Sequence, residues 1–171
     1  MPKTLSDQDI ADFRDRLCDV AERLFAERGP EAVTMRQLAV ELKVSPMTPY
    51  RYFQDKDAMM AAVRARGFSR HADALEAAYA SSSGTSLERS GVVAEAYVRF
   101  ALENPQAYKL MFDFQQPTMA NYPELVEAAS RSKATMTAHL KSSADGAKEQ
   151  PPDRDLIGHV FWSGLHGATM L

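Results

Sequence analysis

The chain has 171 residues, of which 45% are hydrophobic and one is a cysteine, and its 20 lysines and arginines stand against 23 acidic residues for a net charge of −3. One cysteine excludes a disulfide framework and a cysteine-based zinc site. The negative charge excludes a uniformly basic nucleic-acid coat but leaves room for a local basic patch. Since no apolar run approaches the roughly 20 residues of a membrane span and residues 1–4 carry no apolar signal core, we expect a cytoplasmic protein without a membrane partner.

Helical periodicity runs through most of the sequence. Apolar residues recur at steps of three and four, and no segment alternates with period two, so we predict an all-α fold of about eight helices. The first helix is expected from Asp7 to Arg28, with Ser6 capping its start and Gly29 following its end.

Two short helices are predicted next. Thr34 and Gln37 fit a capping box for a helix over residues 34–43. A third helix is expected over residues 46–53 in spite of Pro49, because a proline in the first turn removes only one intrahelical hydrogen bond. With the first helix, this pair makes a three-helix head.

Longer helices follow, separated by Gly-, Pro- and Ser-containing breaks. We predict them over residues 55–80, 86–103, 105–114, 123–143 and from 152 onward. The sequence therefore suggests a head of residues 1–54 and a larger helical body of residues 55–171.

Residues 34–56 carry the pattern most specific for a function. Two short helices joined by a tight turn form a helix-turn-helix, in which the second helix enters the DNA major groove. Four basic and two acidic side chains give this stretch a local charge of +2. Hydroxyl groups suited to phosphate oxygens are supplied by Thr34, Ser45, Thr48, Tyr50 and Tyr52.

The order of these parts resembles the TetR family of bacterial transcriptional regulators. The resemblance rests on LFAERG at 24–29, TMRQLA at 34–39, VSP at 44–46, YRYF at 50–53 and DKDAMM at 55–60. Pro49 resembles the Ala-Pro-Tyr-Arg variant of a subgroup whose C-terminal domain is named for Trp-His-Gly. FALENP at 100–105 and FWSGLHG at 161–167 are similar to that domain.

The resemblance implies a ligand-responsive homodimer, usually a repressor, that binds a palindromic operator in double-stranded DNA and is released by a small, largely apolar effector. By motif position, Met47, Thr48 and Arg51 are candidates to face bases, Thr34, Tyr50, Tyr52 and Lys56 to clamp phosphates, and Arg36 to do either. The sequence ends at Leu171, inside the first of the two helices that normally build the family's dimer, so the dimer interface is left open.

Aromatic and methionine side chains are concentrated in the body. They suit either an ordinary core or an apolar, adaptable pocket between helices. The candidate pocket residues are Phe68, His71, Tyr97, Phe100, Tyr108, Met111, Phe112, Phe114, Met119, Tyr122 and Met136. Trp162 and His166 share one helical face, where we expect a core or dimer contact in preference to a ligand or metal site.

Other classes of function are less well supported. Because no nucleotide-binding loop, metalloprotease motif or serine-hydrolase motif occurs, we predict no enzyme activity, no cofactor and no metal. The alternative to a DNA-binding regulator is a helical small-molecule or protein-binding module whose head does not bind DNA.

Overall fold

The fold is all-α, as predicted. The computed structural model describes residues 6–112, 118–141 and 154–170. The seven α-helices in these residues are α1 (Asp7–Arg28), α2 (Met35–Glu41), α3 (Lys56–Ser81), α4 (Ser86–Glu103), α5 (Pro105–Phe112), α6 (Pro123–Lys141) and α7 (Arg154–Met170). Within the described residues no helix is long and apolar enough to cross a membrane. The candidate Phe114 lies outside the described residues.

The first two helices begin where the capping pattern predicts. The Ser6 side chain caps α1 and forms a capping box with Asp9. Thr34 does the same for α2, where its backbone N–H donates to Gln37 Oε1 at 2.8 Å. Gly29 follows α1 at a φ of 78°, a backbone conformation that favours glycine, so α1 ends sharply.

The α-helix expected over residues 46–53 is wrong. This stretch forms successive tight turns, with a 3-10 turn only at Pro49–Arg51. In an α-helix the Ser45 carbonyl would accept from the amide four residues on, but that residue is Pro49, which has no N–H. The carbonyl accepts from Thr48 at 2.8 Å instead. In an eight-residue segment this backbone hydrogen bond belongs to the first turn, which must form before the helix can extend. Its loss therefore prevents the α-helix.

Buried side chains form two clusters. The head core joins α1 and α2 to the start of α3 and includes Leu17, Leu24, Phe25, Leu38 and Phe53. The body core joins α3 to α4, α5 and α6 and includes Phe68, Leu75, Tyr97, Phe100 and Leu125. The head and the body are named below after these two cores.

Helix α3 belongs to both units. Its first turns place Met59, Met60 and Val63 in the head core, and its later turns place Phe68 and Leu75 in the body core. Its 26 residues extend over about 39 Å. The expected division between residues 54 and 55 thus falls at the start of a helix that the two cores share.

Ion pairs brace the head against the body from outside. Arg66 and Arg70 of α3 reach Asp19 and Glu22 of α1 at 2.6 and 2.7 Å. Such surface pairs each contribute less than about 1 kcal/mol, so they orient α1 along α3 more than they stabilise the fold.

Candidate nucleic-acid interface and internal cavity

The turn after α2 is closed by backbone bonds alone. The Val44 amide donates to the Ala39 carbonyl at 2.9 Å and the Lys43 amide to the Val40 carbonyl at 3.0 Å, which is the Schellman pattern of a helix end. It requires a left-handed residue, and Lys43 takes that conformation at a φ of 55°. This reversal sets the direction of residues 45–52, called the recognition segment below.

The recognition segment is held by two buried anchors and exposes side chains both before the first anchor and between the two. Pro49 within it and Phe53 just after it are buried. Met47 is 66% exposed and Tyr50 47% exposed. The same segment exposes Ser45 and Arg51, half-buries Thr48, and is preceded by Thr34 and Arg36, both exposed on the first turn of α2.

Two of the expected phosphate ligands are engaged inside the protein. Tyr52 is half-buried, and its ring centroid lies 4.8 Å from that of Phe13 on α1. Lys56 Nζ donates to the Pro30 carbonyl at 3.1 Å and so braces the turn after α1. Tyr52 therefore packs against α1, while Tyr50 faces solvent.

The acidic side chain at the end of α2 is paired with arginines of α1. The Glu41 carboxylate pairs with Arg23 at 3.2 Å and with Arg28 at 3.8 Å. Sequence reasoning counted Glu41 against the local basic charge and missed both arginines, because they lie in a different helix. The local positive charge of the head is therefore larger than the count over residues 34–56 indicates, because this count includes Glu41 but not its arginine partners.

A cavity of about 810 Å³ opens between α3, α5, α6 and α7. Six of the predicted pocket residues line it: Phe68, His71, Met111, Phe112, Met119 and Met136. Trp162 and His166 of α7 line it as well, and so do several residues that the sequence did not indicate, including Arg64, Ser132, Gly158, His159 and Ser163. These residues have no shared sequence signal, because three separate helices, α3, α6 and α7, bring them together.

Four other predicted pocket residues lie behind the wall. Tyr97, Phe100 and Tyr108 are buried in the body core, and Tyr122 packs against it from the edge. Tyr97 and Phe100 hold the His71 ring edge-on, at centroid distances of 4.9 and 5.0 Å. They shape the cavity through His71 without lining it.

His71 is a fully buried imidazole on this wall. Its Nδ1 lies 2.8 Å from Ser132 Oγ, and its Nε2 has no hydrogen-bond partner among the described residues. Burial lowers the pKa of His71 to about 4, so the ring is neutral at neutral pH.

A chain of hydrogen bonds, called the Tyr–His relay below, leads from the body core to the cavity. The Tyr97 hydroxyl lies 2.6 Å from that of Tyr108, which lies 2.7 Å from His166 Nδ1. The His166 ring is stacked on Trp162, with centroids 5.2 Å apart and planes 14° apart. Phe112 packs against it at 4.4 Å. The imidazole is thus fixed between two aromatic neighbours.

The described residues offer no cluster of His, Cys, Asp or Glu side chains that could hold a metal ion. Burial raises the pKa of the Cys18 thiol, which keeps this group protonated and unreactive.

Two family models match the chain, one in each unit. A model described as "Bacterial regulatory proteins, tetR family" matches residues 17–63, which contain the recognition segment. A model described as "Tetracyclin repressor-like, C-terminal domain" matches residues 92–171, which contain most of the cavity wall. Together they cover about three quarters of the chain.

Individual relatives agree with these matches. A transcriptional regulator of the helix-turn-helix type from Mycobacterium tuberculosis, itself described as uncharacterized, is 42% identical over 48 residues, which are 28% of this chain and 24% of that protein. The chain thus matches about a quarter of the length of such curated relatives.

Solved structures match over far more of the chain. A protein of unknown function from Rhodococcus sp. RHA1 has a TM-score of 0.81 and 27% identity, over 100% of this chain and 85% of that one. The TetR family transcriptional regulator PfmR from Thermus thermophilus has a TM-score of 0.71 over 91% of this chain and 85% of its own. Its 22% identity makes that a likeness of fold alone.

Proposed function

Because this chain belongs to the TetR family of bacterial regulatory proteins, whose members are transcription factors and not enzymes, we propose that it is a cytoplasmic DNA-binding regulator. In this proposal it is a repressor that binds a palindromic operator as a homodimer and leaves it when a small, largely apolar effector binds. The observation that carries the proposal is the recognition segment, which exposes Met47 and Arg51 on either side of the buried Pro49.

The proposed DNA contacts divide by chemistry. Met47, Thr48 and Arg51 face base edges, where an arginine can form a bidentate pair with guanine. Thr34, Tyr50 and Arg36 contact phosphates, and Arg36 can also reach a base. Tyr52 and Lys56, which make contacts within the protein, are proposed to contact phosphates only at the edge of the interface, as is the Ser45 hydroxyl.

A second copy of the chain is proposed to cover α7. Ile157, Val160 and Phe161 are 41%, 66% and 46% exposed, and the next turn is the exposed Gly164, which lets another helix approach closely. Pairing of this face with its own copy has two-fold symmetry, and two-fold symmetry in the protein calls for a palindromic operator.

The effector is proposed to bind in the cavity. The cavity volume of about 810 Å³ lies within the usual range of small-molecule binding sites. Helix α5 touches both units, since Met111 and Phe112 line the cavity while Leu110 packs in the head core. Ligand binding that shifts α5 and α3 changes the angle of the heads, and a coupling of about 1–3 kcal/mol is sufficient for a graded response.

Membership of the Trp-His-Gly subgroup also stays a proposal. It is supported by Trp162, His166 and Gly167, which all line the cavity. Trp162 and His166, four residues apart, share one face of α7.

The alternative function is a helical binding module without DNA binding. It is favoured by the recognition segment's lack of an α-helix and by the net charge of −3. Selection from random duplexes with the purified full chain separates the two. The regulator enriches a palindrome with half-sites about 34 Å apart or slightly more and loses affinity steeply with salt, whereas the binding module enriches nothing.

Dimerisation is tested by Phe161→Glu, which places a charge on the proposed interface. We expect a monomer by light scattering after gel filtration. The matched control is Leu102→Glu, at a side chain that is 72% exposed on α4, and it should leave the dimer intact. A wild-type monomer, or a Phe161→Glu dimer, contradicts this part of the proposal.

A further inference from the structure

The direction of the protons in the Tyr–His relay can be deduced from the partners of Tyr97. This hydroxyl is buried, and its residue is 1% exposed. The acceptors found for its proton are the Tyr108 hydroxyl at 2.6 Å and His166 Nδ1 at 3.4 Å, since its further partner Trp162 can only donate. Leaving its proton without an acceptor costs about 1–3 kcal/mol, so the Tyr97 O–H donates to one of these two atoms.

Both choices give His166 the same tautomer. If Tyr97 donates to Tyr108, the Tyr108 proton is directed at His166 Nδ1, 2.7 Å away. If Tyr97 donates to His166 instead, Nδ1 accepts from Tyr97. A proton on Nδ1 would have to share the Tyr108 oxygen with the Tyr97 proton and turn the Tyr108 proton away towards Thr169, which gives up the short O–H···N bond at 2.7 Å. His166 Nδ1 is therefore an acceptor, and the ring's proton is on Nε2.

His166 Nε2 is left facing away from the relay. It has no hydrogen-bond partner among the described residues, and it belongs to a half-buried ring on the cavity wall. Stacking on Trp162 and packing against Phe112 prevent the ring from turning. Burial lowers the pKa of His166, so the neutral donor persists at neutral pH. His166 therefore adds an oriented N–H group to a mainly apolar wall, which also includes the polar side chains of Arg64, His71 and Lys133.

We propose that the cavity selects apolar or aromatic molecules that carry a carbonyl oxygen, which accepts a hydrogen bond from His166 Nε2. This inference rests on the proposed effector site and adds the chemistry of its occupant. Phe68, Met111, Phe112, Met136 and Trp162 bury the apolar part. A protonated amine brings donors and positive charge to a wall that already carries donors on Arg64, Lys133 and His166. A hydrocarbon leaves the His166 N–H without a partner.

The test compares two probes of the same shape. In 2-acetylnaphthalene a carbonyl oxygen stands where 2-isopropylnaphthalene has a methyl group. Dissociation constants are measured for both by equilibrium dialysis against the full chain. His166→Phe keeps a planar ring and removes the N–H, so we expect it to weaken the binding of the ketone relative to the hydrocarbon about tenfold. Tyr108→Phe, which removes the donor to Nδ1, should cause a smaller loss of the same preference.

The wild-type protein gives a check that needs no variant. Nitrogen NMR of histidine-labelled protein should show His166 protonated on Nε2 and not on Nδ1 at neutral pH. A proton on Nδ1, an unchanged probe ratio in His166→Phe, or failure of 2-acetylnaphthalene to bind overturns the inference.

Duplex binding measured on the same samples separates this inference from the proposed function. Carbonyl selectivity without DNA binding contradicts the regulator and leaves the carbonyl site standing. DNA binding without selectivity contradicts the carbonyl site alone.

Discussion

The head presents its candidate functional groups to solvent, whereas the body encloses them. In the head, an aliphatic and aromatic core supports a short segment whose exposed side chains are Met47, Tyr50 and Arg51. In the body, polar groups such as His71 and the Tyr–His relay are buried among aromatic rings beside a cavity. A surface for a charged polymer needs exposed charge, and a site for a small apolar molecule needs a dry interior.

Helix α3 packs in both the head core and the body core. A substitution that destabilises one core should therefore destabilise the other. Leu24 is 0% exposed in the head core. Leu24→Ala should lower the free energy of unfolding by about 3 kcal/mol. Because Met59 and Met60 of α3 pack in the same core, the body should unfold in the same transition. Urea denaturation followed by circular dichroism measures both effects.

The control for that experiment is Leu87→Ala, at a side chain that is 83% exposed, with an expected change below about 0.5 kcal/mol. Two separate transitions in Leu24→Ala would show that the head and body are independent.

The buried His71 should make the body sensitive to acid. Its pKa of about 4 is below the value of about 6.5 in an unfolded chain. Between these values the unfolded state binds the proton more readily, so stability is complete above about pH 6.5 and falls as the pH is lowered, by about 1.4 kcal/mol per pH unit from this group. His71→Leu should therefore lose about 2 kcal/mol less than the wild type between pH 7 and pH 5, as measured by urea denaturation. Equal losses in both proteins would mean that His71 titrates normally.

Substitution of the exposed Arg51 tests whether the recognition segment contacts DNA. Arg51→Ala should weaken binding to the enriched duplex by about 1–3 kcal/mol and relax the base preference at one position if it pairs with guanine. Arg99→Ala removes the same charge from the body, where Arg99 pairs with Glu95, and is the matched control. Equal affinities of Arg51→Ala and Arg99→Ala for the duplex are incompatible with the proposed interface.

The smallest expected effect concerns the turn that orients the recognition segment. Lys43 has a φ of 55°, a conformation that costs a side chain about 1 kcal/mol and glycine much less. Lys43→Gly should therefore stabilise the protein by about 0.5 kcal/mol or slightly more, as measured by thermal denaturation. Lys109→Gly, inside α5, should destabilise it by about 1 kcal/mol. If both glycines destabilise, the left-handed turn is not strained.

The difference between the two units also explains what the sequence could predict. The head's signals are local: Thr34 and Gln37 lie three residues apart, and the capping box they predict is confirmed. The helix expected over residues 46–53 was wrong because Pro49 removes the amide that an α-helical first turn requires. The expected loss of one backbone hydrogen bond is correct, but in an eight-residue segment that one bond decides whether an α-helix forms.

The cavity was harder to predict because its residues are distant in sequence. Phe68 and Met136 were named from composition, but nothing in the sequence separated them from Tyr97 and Phe100, which lie behind the wall. The packing of four helices decides which aromatic side chains face the cavity. The Tyr–His relay joins residues up to 69 positions apart, so its proton direction follows only from the structure.

Coupling between the cavity and the head can be measured in a single titration. The affinity of the full chain for its enriched duplex is measured with the cavity empty and then with saturating 2-acetylnaphthalene. We predict that the occupied protein binds the duplex at least about fivefold more weakly, at the lower end of the couplings that are usual between two sites. Equal affinities of the free and occupied protein would mean that the cavity does not control DNA binding.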